Sequence, residues 1–324
     1  MSDRVGESRT PAPGSVAQPT IRNIAVTDLS AVLGAVIWLA LTAAGELDAI
    51  ERALALAPFV LVPLALRTAV TGAFQGPARR FTTAAIWLQP VGAFLLVASL
   101  IFPSLSPLAA GLAVPWLAVT GLLGLAALAR IRTRETLVLP ETAIDAGFAY
   151  VSVGAVALLL AHLDLTFWFD PVIIRLTAVH FHYAGFVLPV AAGLTGRYLD
   201  AHSRGFRAVV GVILVGPALI AVGIAFSPVV EVVAVSLFTV AVAPFGVVVL
   251  RRVVPTCSRL QGALLGIAAV ALPVSMTLAL GYGISTFTGR SLGLTISTMV
   301  TLHGSLNAFG FGLCATLGWR LAVP

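Results

Sequence analysis

Two histidine-containing segments hold the side chains of this sequence that are best suited to chemistry. The first contains His180 and His182, inside a long apolar stretch. The second contains His303 and Asn307, which are four residues apart and share one face if the segment is helical. Histidine exchanges a proton near neutral pH, so these residues indicate acid/base catalysis, ligand binding or a proton relay.

Helical geometry separates His180 from His182. At about 100° per residue their side chains point roughly 200° apart, so both reach one site only if the helix is locally distorted. Arg175 is seven residues before His182 and shares its face. Polar residues on two faces at one level predict a helix that is surrounded by protein near the centre of a bundle.

A metal is the less favoured interpretation of the three histidines. The His-x-His spacing suits a strand better than a helix, and no carboxylate is predicted at the same depth. Cys257 and Cys314 have no metal-ligand spacing, so neither a zinc site nor a disulfide framework is predicted. We expect no metal and no cofactor. Buried structural histidines and a haem held by facing histidines stay open as alternatives.

Transmembrane helices are the elements that must position these residues. Hydrophobic residues make up 59% of the 324 residues and charged residues only 10%, whereas soluble domains carry about 25% charged residues. Crossing a bilayer takes about 20 apolar residues. Suitable segments are 27–45, 53–73, 82–102, 107–129, 143–163, 172–194, 207–226, 229–250, 261–287 and 292–317. The sequence predicts an all-α bundle of about ten spans over 26–324, after a disordered cytoplasmic tail over 1–25.

The arginines predict the orientation of the bundle. All 19 basic residues are arginines, and they concentrate in the connections after segments two, four, six and eight. Because cytoplasmic loops are rich in positive charge, both termini are predicted to lie in the cytoplasm and the protein in the cytoplasmic (inner) membrane. The arginines form no patch with aromatic residues, so nucleic acid is not an expected partner.

This orientation predicts one site in the outer half of the bundle. Segments six and ten both run inward, and their histidines lie about eight to eleven residues from the outer end. The predicted catalytic residues are His180, His182, His303, Asp164 and Asp170. The predicted substrate-binding residues are Glu46, Trp168, Arg175, Phe181, Tyr183, Phe186 and Asn307. The alternatives without chemistry are that the acidic candidates are solvated loop carboxylates and that the aromatic run at Trp168 belongs to an interfacial aromatic belt.

A family resemblance rests on the same two segments. The run from His180 to Phe186, followed by Leu188-Pro189 and Gly193, resembles the YndJ-like family of bacterial membrane proteins. His303-Gly304, Asn307 and Gly310-Phe311 resemble the C-terminal pattern of that family. The resemblance covers most of the membrane domain and implies its architecture more than an activity.

Two functions from different classes fit these residues. The first is an intramembrane enzyme that performs acid/base chemistry on a lipophilic, isoprenoid-like molecule in a dry aromatic pocket, similar in general style to membrane-bound terpene cyclases. The second is a transporter or proton-coupled carrier with the histidines as a relay, although the sequence shows no internal repeat. A structural or sensing subunit without chemistry also stays open. The sequence leaves the oligomeric state unknown.

Overall fold

Apolar helices make up nearly all of the protein. The structure is a computed structural model, and it describes residues 18–72, 74–102, 106–199 and 203–324. Within these ranges, nine helices are long and apolar enough to cross a membrane. They are α1 (Val26–Ala44), α2 (Ala49–Ala69), α3 (Gly76–Ile101), α4 (Pro107–Thr133), α5 (Leu139–His162), α6 (Pro171–Leu199), α7 (Arg204–Phe226), α8 (Pro228–Thr256) and α9 (Arg259–Thr288).

A tenth helix, α10, spans residues 296–321. Each of the ten predicted segments falls on one helix, with ends shifted by a few residues, so the predicted all-α multi-span bundle is confirmed. The shortest connection is Ser227, which ends α7 and accepts a hydrogen bond from the Val230 N–H at the start of α8. That both termini lie in the cytoplasm stays a prediction, which a reporter fused to the C-terminus checks.

The chain begins, within the described residues, with contacts that the sequence did not predict. Residues 1–17 of the predicted tail lie outside the described part of the chain. Two short antiparallel strands follow, β1 (Thr20–Ile21) and β2 (Ile24–Ala25). The side chain of Gln18 is buried and donates to the Leu66 carbonyl at 3.1 Å, so this segment packs on the end of α2.

The second half of α6 and most of α2 form the centre of the bundle. Residues 185–196 are all buried, and 78% of the most apolar window of α2 is buried, against 28% for α1. The first half of α6 is only partly covered. The prediction that segment six is enclosed by protein is therefore correct only for the second half of α6, where neighbouring helices cover it.

Five stretches of the described helices are π-helical. They are Ala57–Leu61 in α2, Tyr183–Val187 in α6, Val249–Val253 in α8, and Met299–His303 and Leu306–Leu313 in α10. A π-helical turn adds a residue to the turn, shifts the faces that follow it, and is frequent at functional sites. Two of the five adjoin or contain the histidines of α6 and α10, and a third begins three residues after His303.

Candidate functional site

The rings of His180 and His303 lie side by side between α6 and α10. Their centroids are 6.1 Å apart, with an angle of 34° between the ring planes. α6 supplies His180 from the last α-helical turn before its π-helical stretch, and α10 supplies His303 from the end of its first one. Two histidines that are 123 positions apart in the sequence therefore share one place in the structure.

Hydrogen bonds fix the orientation and tautomer of His303. Its Nδ1 lies 2.9 Å from the backbone carbonyl oxygen of Ser275, which can only accept, so Nδ1 carries the hydrogen. Its Nε2 then accepts from the Asn307 side-chain amide at 3.1 Å. The same amide donates to the Ser275 hydroxyl at 2.7 Å. α9 thus holds the α10 histidine as a neutral, oriented imidazole.

His180 has one engaged and one open ring nitrogen. Its Nδ1 is 2.6 Å from the Leu176 carbonyl oxygen one turn earlier, so Nδ1 carries the hydrogen and Nε2 has the free lone pair. Among the described residues, no hydrogen-bond partner reaches Nε2, and the side chain is exposed at the surface of the bundle. The open Nε2 can accept a proton from a molecule that approaches this surface.

His182 is placed differently. It is fully buried, its Nδ1 donates to the Ala178 carbonyl at 2.7 Å, and its Nε2 accepts from the Trp116 indole N–H at 3.0 Å. The imidazole also stacks on Trp116 with an interplanar angle of 19°. Gly154 of α5 makes room for the ring, because a Cβ there would lie 2.7 Å from Nδ1. Both nitrogens are used within the core, so His182 is a packing residue in this arrangement.

The structure does not bring the predicted carboxylates to the histidine pair. Asp164 lies exposed in the loop after α5, in a left-handed conformation with φ +55°. Asp170 caps α6, since its carboxylate accepts from the Val172 N–H at 2.9 Å. Glu46 is exposed in the loop after α1. Loop and cap roles explain these three residues, which agrees with the alternative that they are solvated loop carboxylates.

An ion pair joins two helices at the end of the bundle that lies next to His180 and His303. Arg175 binds the carboxylate of Asp48 at 2.7 Å and that of Glu51 at 3.4 Å, which joins α6 to the start of α2. Burial opposes the charge on Asp48, but the Glu51 backbone N–H and the Arg175 guanidinium outweigh it and lower the pKa of Asp48. Arg175 therefore links two helices here and does not share a site with His182.

The predicted aromatic residues pack away from the pair. Phe181 contacts Tyr150, Phe186 stacks on Phe148, and the Tyr183 hydroxyl donates to the Ala53 carbonyl at 2.8 Å. All three rings are buried in the core. Trp168 is 68% exposed at a loop, in contact with Phe226, and this position fits an interfacial aromatic belt. No aromatic pocket encloses the histidine pair within the described residues.

The two best-defined cavities of the described residues are small and lie elsewhere. The best-defined one has a volume of about 20 Å³ between α6, α8, α9 and α10, and the next about 10 Å³ beside Phe74. Neither is lined by a histidine, and a drug-sized ligand fills roughly 300–1,000 Å³. A large molecule would reach His180 from the lipid side. No group of three or more His, Cys, Asp or Glu side chains in the described ranges is placed to hold a metal ion.

Sequence reasoning missed a second polar cluster, which we call the inner arginine cluster. It consists of Arg130, Arg134, Glu141, Asp145 and Arg197. Asp145 is fully buried and binds Arg130 at 2.5 Å and Arg134 at 2.7 Å. The ends of α4, α5 and α6 meet here, which the arginine count of each loop could not indicate.

The side chain of Gln89, next to Pro90 in α3, links α3 to two other helices. Its side-chain amide donates to the Pro58 carbonyl of α2 at 2.7 Å, and its oxygen accepts from Ser30 of α1. The accepting Pro58 carbonyl lies in the π-helical stretch of α2.

Comparison with known proteins places this arrangement in a family. The sequence matches the YndJ-like protein family over residues 52–311. The chain belongs to the YndJ-like family. That range includes His180, Ser275, His303 and Asn307, but neither Glu46 nor Asp48. The family resemblance indicated by the two histidine segments is confirmed.

One relative within the YndJ-like family is a Bacillus subtilis (strain 168) protein named "Uncharacterized membrane protein YndJ". It is 32% identical over 238 residues, which cover 73% of this chain and 42% of the relative. The chain thus spans less than half the length of that relative. No solved structure matches this sequence. The relative and the apolar helices together establish a multi-pass membrane protein.

Proposed function

We propose that this protein is an intramembrane enzyme that uses His180 as an acid/base on a lipophilic, isoprenoid-like substrate. One observation carries the proposal: His180 offers an open Nε2 at the surface of a membrane-spanning helix, while its Nδ1–H is held by the Leu176 carbonyl. Ionisable groups in such segments are costly and usually functional. The fixed tautomer prepares the ring to accept a proton at Nε2.

The neighbouring residues support this role. His303 is held as a neutral imidazole by Ser275 and Asn307, so it places an oriented dipole beside the His180 ring without competing charge. In the proposed reaction, His180 takes up a proton at Nε2 and delivers it to an alkene or epoxide of the substrate, and Nε2 then removes a proton from another atom of the resulting cation. Such a transfer isomerises the substrate without oxidation or reduction.

The route to the site favours a membrane-soluble molecule. Because the described cavities are too small for a lipid, the substrate of this proposal approaches the exposed His180 laterally from the hydrocarbon. A membrane-bound terpene cyclase is the narrower form of the proposal. It requires an aromatic lining and an acid that the present arrangement does not bring to His180, so the broader acid/base reaction is the one we put forward.

Deuterium labelling tests the proposal even when the product is unidentified. Purified protein in lipid nanodiscs is incubated in D₂O with a mixture of isoprenoid lipids, and the lipids are analysed by mass spectrometry. We expect one lipid to gain deuterium. His180→Gln should slow this by roughly 10²–10⁴-fold at an unchanged melting temperature. Thr301→Ala, an exposed change on α10, is the control and should leave the rate unchanged.

Labelling that equals the protein-free sample, or that persists in His180→Gln, would reject the enzyme. A proton-coupled carrier is the second candidate, since ion pairs close the bundle at both ends of α6, at Arg175 and at Arg197. Vesicles loaded with a pH-sensitive dye distinguish it. Proton movement that depends on His180 in the absence of lipid labelling would favour the carrier.

A further inference from the structure

The inner arginine cluster contains more positive than negative charge in a buried place. Three guanidinium groups face two carboxylates, Glu141 and Asp145. Arg197 binds Glu141 through Nε at 2.6 Å and Nη2 at 2.9 Å, and its Nη1 donates to the Ala69 carbonyl at 2.9 Å. With both acids ionised, one positive charge is left without a counter-charge inside the cluster.

Two N–H groups of the cluster are buried without a partner. They are Nε of Arg130 and Nη1 of Arg134. Buried donors are nearly always bonded, and an unpaired one indicates strain, a functional role, or a place for a water or an ion. Arg130 and Arg134 bind the two oxygens of the same Asp145 carboxylate. Their unpaired donors therefore belong to one small region of the protein.

The two arginines with unpaired donors differ in exposure. Arg130 lies deep, with 3% of its side chain exposed, under the ring of Phe74 at 3.9 Å. Arg134 is the first residue after α4 and keeps 15% of its side chain exposed. An anion that comes from the surface would meet Arg134 first and Arg130 behind it.

We propose that the inner arginine cluster is a binding site for a phosphate oxyanion. One negative charge balances the excess positive charge, and phosphate oxygens are acceptors that match guanidinium N–H groups. Basic pockets between transmembrane helices on the cytoplasmic side commonly bind anionic lipid headgroups. The predicted orientation puts the cluster on that side. A free phosphate offers the same chemistry, so the test separates the two sources. This site is independent of the function proposed for His180.

Binding is measured on delipidated full-length protein in detergent, by native mass spectrometry and by the shift in melting temperature. The probes are phosphatidylglycerol, phosphatidylcholine, inorganic phosphate, and sodium chloride at equal ionic strength. We expect saturable stabilisation by phosphatidylglycerol over phosphatidylcholine if the ligand is a lipid, or by inorganic phosphate as well if the free anion suffices. Stabilisation that chloride reproduces, or no saturable binding of either phosphate probe, would overturn the site.

Matched arginine variants locate the binding. Arg134→Lys keeps a charge beside Asp145 but loses the forked donor, and it should weaken binding roughly 10- to 100-fold, the value of one hydrogen bond to a charged group. Arg132→Lys changes an exposed arginine two positions away and should have no effect. Equal weakening by both would indicate diffuse surface attraction and reject the site. If Arg134→Lys does not fold, Arg134→Gln is compared with Arg132→Gln by the rise in melting temperature that added phosphatidylglycerol produces. A smaller rise in Arg134→Gln than in Arg132→Gln supports the site, and an equal rise rejects it.

Discussion

His180 and His182 are two positions apart and have opposite surroundings. The imidazole of His182 is fully buried between Ala178 and Trp116, with both nitrogens bonded. The imidazole of His180 is bonded at Nδ1 only and is exposed beside His303. A histidine with both nitrogens satisfied stabilises packing, whereas one with an open nitrogen can exchange a proton with a ligand. The comparison separates a histidine that packs in the core from one that is open to a ligand on the same helix.

The largest expected effect concerns activity at the open histidine. His180→Gln and His303→Gln should each slow lipid deuteration by roughly 10²–10⁴-fold. The proposed function makes the two rings act as one unit, so the double variant should be little slower than His180→Gln alone. Initial rates of deuterium incorporation measure this. A double variant with the product of the two single losses would show that the histidines act independently.

His182→Ala should affect stability instead. The change leaves the Trp116 indole N–H buried without an acceptor and removes a packed ring, at a cost of roughly 2–5 kcal/mol. Thermal unfolding of the purified protein measures it. His180→Ala is the matched control and should unfold near the wild-type temperature, since its side chain is exposed. Equal destabilisation by both would erase the distinction between the two histidines.

Gly154 offers a smaller test of the His182 site. In Gly154→Ala the new methyl group would lie 2.7 Å from Nδ1 of His182 and 3.0 Å from the Ala178 carbonyl oxygen. Overpacking of this kind costs about 1–3 kcal/mol. Gly111→Ala on α4 is the control, because a Cβ there meets nothing within 4 Å. A Gly154→Ala protein as stable as Gly111→Ala would show that the ring of His182 moves freely.

The smallest effect is expected at the ion pair next to His180. Asp48→Asn keeps the helix cap but removes the charge that Arg175 binds. An exposed pair contributes only about 0–1 kcal/mol. Since folding lowers the pKa of Asp48 below 3.8, its contribution is present above that pH and is lost as the pH falls through the lower folded value.

Unfolding at pH 7 and at successively lower pH therefore measures the Asp48 contribution. We expect wild type and Asp48→Asn to converge below pH 3.8. A difference that grows on acidification would contradict the sign of the shift. Deuteration rates that also change in Asp48→Asn would connect this ion pair to the open histidine.

The sequence determined the membrane architecture. Runs of about 20 apolar residues leave few other folds, because every backbone N–H and C=O in the hydrocarbon must bond within a helix. Its periodicity also indicated that His180 and His182 face different ways, which depends only on the geometry of a single helix. The arginine pattern of the connections indicated that His303 lies at a matching depth.

The tertiary structure decided which partner each polar side chain has. Trp116 reaches His182 across 66 positions of the chain, and Ser275 reaches His303 across 28. Periodicity gives the face of a residue on its own helix but not the helix that covers that face. Asp145 shows the same limit, since the sequence did not indicate its contacts with Arg130 and Arg134. Packing between distant helices therefore decided which histidine is structural and which one is open.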